Sequence, residues 1–365
     1  MKRYVRFLAL LLTLTTLLSP VSCNAPRDDE QEEEEAGMGL DITNKTGLVS
    51  ICYSVWFDGI LGTGTEPVTD FNNVPDVLNG TREWGDEYAF HYWSKPAQGY
   101  YRSTDKTAAR NNLTLLGEAK VDFIILDYTN ANDSYVTDPD KGEIWAFAPL
   151  RTLCEVILEM RAEGKKVPYI VPWCGESEGP LIEAFYERFY AVEAYRDCFV
   201  YWEGKPFMLL KDLVKDFSHP ELFTVRRMWG LTKDKCWRFL NIDNTDTVYR
   251  NGKVLEQLSV AVATQETYMS LPSAHGRDNG NFFYNQWKTA FEVRPKVVTL
   301  TWWNEWAAMR FIIDGETVFT DNYNQEYSRD IEPMEGGHGD LYYQWMKQYI
   351  IAYKSGAACP KLVSE

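Results

Sequence analysis

The 365-residue chain predicts an α/β fold of the (β/α)8, TIM-type barrel class, in a single domain. Short apolar and β-branched runs alternate with amphipathic helical stretches from Gly47 onward. No stretch of linker composition divides them, and no glycine-rich phosphate loop marks an open, nucleotide-binding sheet. In such a barrel, chemistry sits where strands end and the following loops begin.

The N-terminus stands apart. Met1-Lys2-Arg3 is basic, residues 7–18 are almost wholly apolar or hydroxylated, and Ser19-Pro20-Val21-Ser22-Cys23 follows. Residues 1–22 therefore read as a signal peptide, too short and wrongly flanked for a membrane span. Its end resembles a bacterial lipoprotein signal, in which Cys23 becomes the lipidated first residue. Pro20 stands where leucine is usual, and plain secretion with cleavage near Cys23 is the alternative. Residues 23–46, with Asp28-Asp29-Glu30 and the run Glu32 to Glu35, read as a solvated acidic tether, because like charges without aromatics cannot collapse. An acidic run directly after such a cysteine resembles the surface-export signal of Bacteroidetes lipoproteins. That places the barrel domain, residues 47–365, outside the cell, with a lipid anchor as its one link to the membrane.

Within the domain, Leu48-Val49-Ser50-Ile51-Cys52 opens a strand over 48–56. A polar, Gly/Asn-rich excursion runs over 59–85, and 87–93 is strand-like. Thr104-Asp105 caps a helix reaching about Lys120. A buried strand follows over 121–127, then a helix over 149–166 with apolar residues three and four apart. Further strands are predicted over 167–173, 205–210, 237–241, 258–263 and 296–301. Helices are predicted over 180–198, 282–293 and 340–353. The count of about eight strands fits the barrel.

Composition bounds the partners. The net charge of −16, part of it in the tether, argues against nucleic acid and anionic lipid surfaces. None of the seven cysteines has zinc spacing, and Cys52 and Cys174 lie in apolar runs where a buried free thiol is expected. His91, His219, His275 and His338 show no metal spacing, so neither cofactor nor metal is predicted.

The residues at or just past strand ends are Trp56, His91, Trp93, Asp127, Trp173, Glu176, Asp243, Gln265 and Glu305. Trp302-Trp303-Asn304-Glu305-Trp306 is the most informative stretch. Indole faces stack on sugar rings and exclude water, and a glutamate among them can hold or transfer a proton. The plainer reading is an aromatic core edge with an incidentally paired glutamate. Glycosidic cleavage takes two carboxyl groups. Glu305 is the first candidate, and Asp127, after Phe123-Ile124-Ile125-Leu126, is another, unless it serves only to bind a hydroxyl. Trp56, His91, Trp93, Trp173, Glu176, Trp303, Asn304 and Trp306 are the expected substrate contacts.

A resemblance sharpens this. Gly99-Tyr100-Tyr101-Arg102-Ser103-Thr104-Asp105, followed by Val121-Asp122-Phe123-Ile124-Ile125-Leu126-Asp127-Tyr128, is similar to a pattern of bacterial barrels related to glycoside hydrolase families 71 and 99. These are the α-glucanases and endo-α-mannosidases. His91-Tyr92-Trp93, Gly204-Lys205-Pro206, Trp303-Asn304-Glu305-Trp306 and Asp330-Ile331-Glu332-Pro333 fall in the matching order. The resemblance implies a hydrolase of an α-linked polysaccharide or glycan, with Glu305 in its site. In the endo-α-mannosidase-like pattern a second glutamate follows Trp-Asn-Glu-Trp after one small residue; here Ala308 stands there, after Ala307. The partner carboxylate is then Asp127 first, Glu332 second, with Asp330 a further candidate. The other readings are a non-catalytic glycan-binding surface lipoprotein and, less favoured without a metal cluster, a deacetylase or lyase in the same barrel.

Overall fold

The computed structural model describes residues 38–61, 80–81, 83, 86–175, 179–212, 219–231, 235–240, 248–265, 274–321 and 325–364. The signal segment, most of the tether, most of the 59–85 excursion, Glu176 and Asp243 lie outside them.

The fold is mixed α/β, built on a large sheet. Its strands are β1 (Leu40–Asp41), β2 (Leu48–Ser54), β4 (Phe123–Tyr128), β5 (Tyr169–Cys174), β6 (Val200–Trp202), β7 (Lys205–Leu210), β8 (Thr224–Arg227), β9 (Tyr249–Asn251), β10 (Val254–Ala261) and β11 (Val297–Thr301). β3 (Phe90–Tyr92), β12 (Ala307–Ile313) and β13 (Glu316–Phe319) form a smaller antiparallel sheet. Seven neighbours run parallel in the order β10-β11-β2-β4-β5-β7-β8. Every residue of β2 and of β11 is buried, as strands covered on both faces require. The outer cover includes α2 (Lys106–Glu118), α3 (Ala148–Ala162), α5 (Asn281–Val293) and α6 (Leu341–Ser355), while α1 (Phe57–Leu61) and α4 (Pro180–Phe185) are short. Asp105 caps α2 by accepting from the Thr107 and Ala108 amides at 2.7 and 3.2 Å, the role its sequence position predicts.

The structure departs from the sequence reading at five places. The tether ends earlier than residue 46: Leu40–Asp41 pairs with β6, Leu40 and Ile42 are buried, and the Lys296 ammonium donates to the carbonyls of Ile42, Thr43 and Lys45. A chain beginning at Gly47 should therefore unfold at lower denaturant than one beginning at Met38, by about 3 kcal/mol from the lost burial of two aliphatic side chains. Urea unfolding of the two trimmed forms checks this, and equal midpoints would contradict it.

The helix predicted over 180–198 breaks into α4, a π turn at Tyr186–Tyr190 and a 3-10 turn at Glu193–Cys198. Aromatic packing accounts for the break, since Phe185 and Phe189 meet Phe147 and Tyr190 meets Phe199. β8 escapes the sequence reading because its arginines mask it; Arg226 pairs with buried Glu256 at 2.7 Å. Conversely, the strand predicted over 237–241 forms no ladder among the described residues. Trp237 makes a single parallel bridge to Met228, and the Gln257 side chain exchanges two hydrogen bonds with the Arg238 backbone in place of a ladder. The β12–β13 hairpin, over residues 307–319, is absent from the sequence reading. Its two-residue loop, Asp314-Gly315, has φ of +52° and +84°, as an Asp-Gly type I′ turn demands.

The six cysteines from Cys52 to Cys359 are free thiols. No helix among the described residues is long and apolar enough to cross a membrane.

Candidate active site

A cavity of roughly 340 Å3 opens at the C-terminal ends of the parallel strands. Asp127 from β4, Trp173 from β5, and Lys211, Trp302 and Glu305 just past strand ends all line it. Trp173 and Trp302 are nearly inaccessible and form its floor, their rings 6.1 Å apart. The Trp173 indole N–H donates to the Met228 carbonyl and that of Trp302 to the Ser54 hydroxyl. Trp56, Trp145 and Trp229 are half-buried on the walls.

Asn304 places Glu305. Its side-chain oxygen accepts from the Ser54 amide at 2.7 Å, and its amide donates to the Ser54 carbonyl and the Tyr101 hydroxyl. The end of β11 is thereby sewn to the end of β2, and the next side chain enters the cavity. Both Glu305 oxygens accept from the fork of Arg329, at 2.9–3.0 Å. Arg329 is 2% exposed and also pairs with Asp321 at 2.9 Å. Asp321 in turn accepts from Gln265 at 2.7 Å. Burial opposes the charge on Arg329, but Glu305 and Asp321 outweigh it and raise its proton affinity above the ordinary arginine value. A carboxylate gripped in this two-pronged way is oriented and suited to act as an anion.

Asp127 sits in a different environment. It lies one residue before the end of β4, opposite Ser54 and Trp173. Burial pushes its carboxyl above the ordinary aspartate value and nearby Asp321 adds to this, while hydrogen bonds from Thr129 and the Trp56 side chain oppose it. Raised affinity for a proton is what a group that donates one requires.

Several predicted contacts lie elsewhere. Glu332 is buried behind Trp306, against a second, shallow cavity bordered by Gln98 and Pro333. Its carboxylate accepts from Trp306, Gln98 and Tyr101. The loop after β13 folds back along Trp303, whose carbonyl receives the Ile331 and Glu332 amides; it delivers Arg329 to the main cavity and turns Glu332 away. Asp330 is buried on the side of Arg277, whose guanidinium donates to the Asp330 carbonyl. Trp303 is fully buried with its ring edge-on to Tyr343 of α6, on the helix side of the sheet. His91 is fully buried against Phe319. Trp93 stacks on Trp306 at 5.3 Å and donates to the Glu305 carbonyl. Asn304 is likewise fully buried. These five support the site from behind without lining it. β11 ends at Thr301, so past it position in the run no longer fixes which side a side chain faces.

Sequence reasoning missed Arg329 and Asp321, which no local pattern ties to Glu305, and left Trp302, Trp229 and Lys211 unassigned. Among the described residues, no group of three or more His, Cys, Asp or Glu side chains is arranged to hold a metal.

Glu332 carries a pH prediction. Burial raises its carboxyl to about 7, despite the hydrogen bonds from Trp306, Gln98 and Tyr101 that pull it down. The native state then holds a proton that the unfolded chain releases near the ordinary glutamate value. The resulting stabilisation, about 3 kcal/mol, is complete below that ordinary value and is lost as pH rises through 7. Asp330, raised in the same sense by burial, adds to the trend. Urea unfolding should thus show lower stability at pH 8 than at pH 5, and a rise would contradict the assignment.

No family model and no curated protein sequence matches the chain. Solved structures do. The GH99 endo-α-mannosidase from Bacteroides thetaiotaomicron aligns with a TM-score of 0.54 and 12% identity, over 86% of this chain and 99% of that one. A GH99 endo-α-mannosidase structure from the same organism, in complex with Bis-Tris-propane, aligns with a TM-score of 0.53 and 12% identity, over 85% and 98%. The chain shares their fold. The motif order between Gly99 and Glu332 and the course of the backbone thus point to one fold, similar to that of families 71 and 99.

Proposed function

We propose that this chain is a glycoside hydrolase that cleaves an α-linked glycan in the cavity of Asp127 and Glu305. One observation carries the reading: two carboxylates share a tryptophan-walled cavity at strand ends, Asp127 with its carboxyl raised by burial and Glu305 gripped by the fork of Arg329. Asp127, inclined to hold its proton, protonates the departing glycosidic oxygen. Glu305, oriented by Arg329, meets the positive charge that develops at the anomeric carbon. The α-linkage rests on the fold shared with the endo-α-mannosidase structures.

The parallel strands, in this reading, close into a (β/α)8 barrel with residues 237–240 as the eighth staves' position between β8 and β10. The Met228–Trp237 bridge and the Gln257 contacts to Arg238 support that closure. Export as a surface lipoprotein through Cys23 and the acidic run after it belongs to the same proposal.

A glycan-binding protein without catalysis is the second reading, favoured by Ala308. Its force is reduced by where Ala308 lies. Ala307 and Met309 line the cavity, whereas Ala308 is buried opposite His91, so a glutamate at 308 would face away from the cavity. The proposal is tested by assaying the protein for new reducing ends on α- and β-linked oligosaccharides. Release from α-linked substrates alone is expected; cleavage confined to β-linked ones would overturn the linkage.

A further inference from the structure

We propose that Lys211 selects a glycan bearing a negatively charged substituent, a uronate carboxylate or a sulfate or phosphate ester, in preference to a neutral one. This rests on the reading of the cavity as a glycan site. Lys211 directly follows β7, and its backbone is fixed on both sides: its amide donates to the Cys174 carbonyl at 2.8 Å and its carbonyl accepts from Arg227 at 3.0 Å. The side chain is half-buried on the cavity wall, with its ammonium 4.7 Å from the centre of the Trp229 ring.

The other charges on this wall are already engaged. Arg329 holds both Glu305 and Asp321, and Asp127 accepts from the Thr129 amide. Asp212, next in sequence, pairs with Arg227 at 3.4 Å. Among the described residues no carboxylate lies within ion-pair distance of Lys211; its charge is met by the face of Trp229. In a chain of net charge −16, a cation turned into the cavity is a local feature and not a consequence of general basicity. Burying an ammonium in part is costly unless a counter-charge meets it, and a sugar hydroxyl would be served as well by an uncharged amide. A carboxylate or ester oxygen on the ligand supplies the missing partner through a charge-assisted hydrogen bond.

The test uses the full chain and matched α-linked oligosaccharides, either neutral or carrying a uronate, a sulfate or a phosphate. Affinity is measured by calorimetry and kcat/KM by reducing-end release. One charged series should exceed the neutral one by about tenfold or more, and which series does so identifies the substituent. That ratio should fall by a similar factor in Lys211→Met and persist in Lys211→Arg. Equal affinity for neutral and charged ligands, or a preference unaltered in Lys211→Met, overturns the proposal. The two readings fail separately: cleavage of neutral glycans with no charge preference removes only the role of Lys211. A Lys211-dependent preference without cleavage removes only the hydrolase, and binding of no glycan removes both.

Discussion

Asp127→Asn is expected to lower turnover by about 10²- to 10⁴-fold, the usual worth of a positioned proton donor. The loss should be selective. A substrate whose leaving group needs no protonation, such as an activated aryl glycoside, should recover most of the rate, because the step that Asp127 serves has been bypassed. The pH profile gives an independent check. Since burial raises the Asp127 carboxyl above its ordinary value, the wild type should lose activity as pH climbs through that raised value and the acid form disappears. The Asp127→Asn variant should lack this limb. Equal losses on natural and activated substrates would place Asp127 outside the proton transfer and leave it as a hydroxyl-binding residue.

Arg329→Met is expected to cost about 3–5 kcal/mol of stability and most of the activity. Arg329 is fully buried and compensates two carboxylates, Glu305 and Asp321. Removing one member of a buried ion network leaves uncompensated charge in a low dielectric, which is far more costly than removing the whole network. Arg329→Lys keeps the charge but not the planar fork that holds both Glu305 oxygens. It should recover part of the stability while leaving turnover low, which separates the orienting role of the arginine from its charge. Urea unfolding read beside kcat for the two variants checks this. An Arg329→Met protein as stable and as active as the wild type would show that Glu305 does not depend on it.

What the sequence reveals, and what it hides, follows from the range of each interaction. β2, β4, β5, β7 and β11 are legible because strands covered on both faces are written as short apolar runs. α2 is legible because Asp105 caps it two and three residues away. Asp127, Trp56 and Trp173 can be placed at the cavity because a strand end locates them without knowledge of distant residues. Arg329 and Asp321 cannot, since Arg329 reaches Glu305 from 24 positions away and Asp321 acts only through Arg329, across a hairpin whose Asp314-Gly315 turn went unread. The tryptophans show the opposite failing. Trp303 and Trp306 look like cavity walls beside Glu305, but the turn of the chain past the end of β11 sends them to Tyr343 and to Glu332, and only the fold reveals which side each one faces.

The most direct test of the account measures cleavage and affinity together for the wild type, Glu305→Gln and Asp127→Asn on one α-linked oligosaccharide. The account predicts cleavage by the wild type, near-complete loss of turnover in both variants, and affinity largely retained in each. A wild type that binds the oligosaccharide tightly and cleaves none, or variants that cleave it at the wild-type rate, would contradict it.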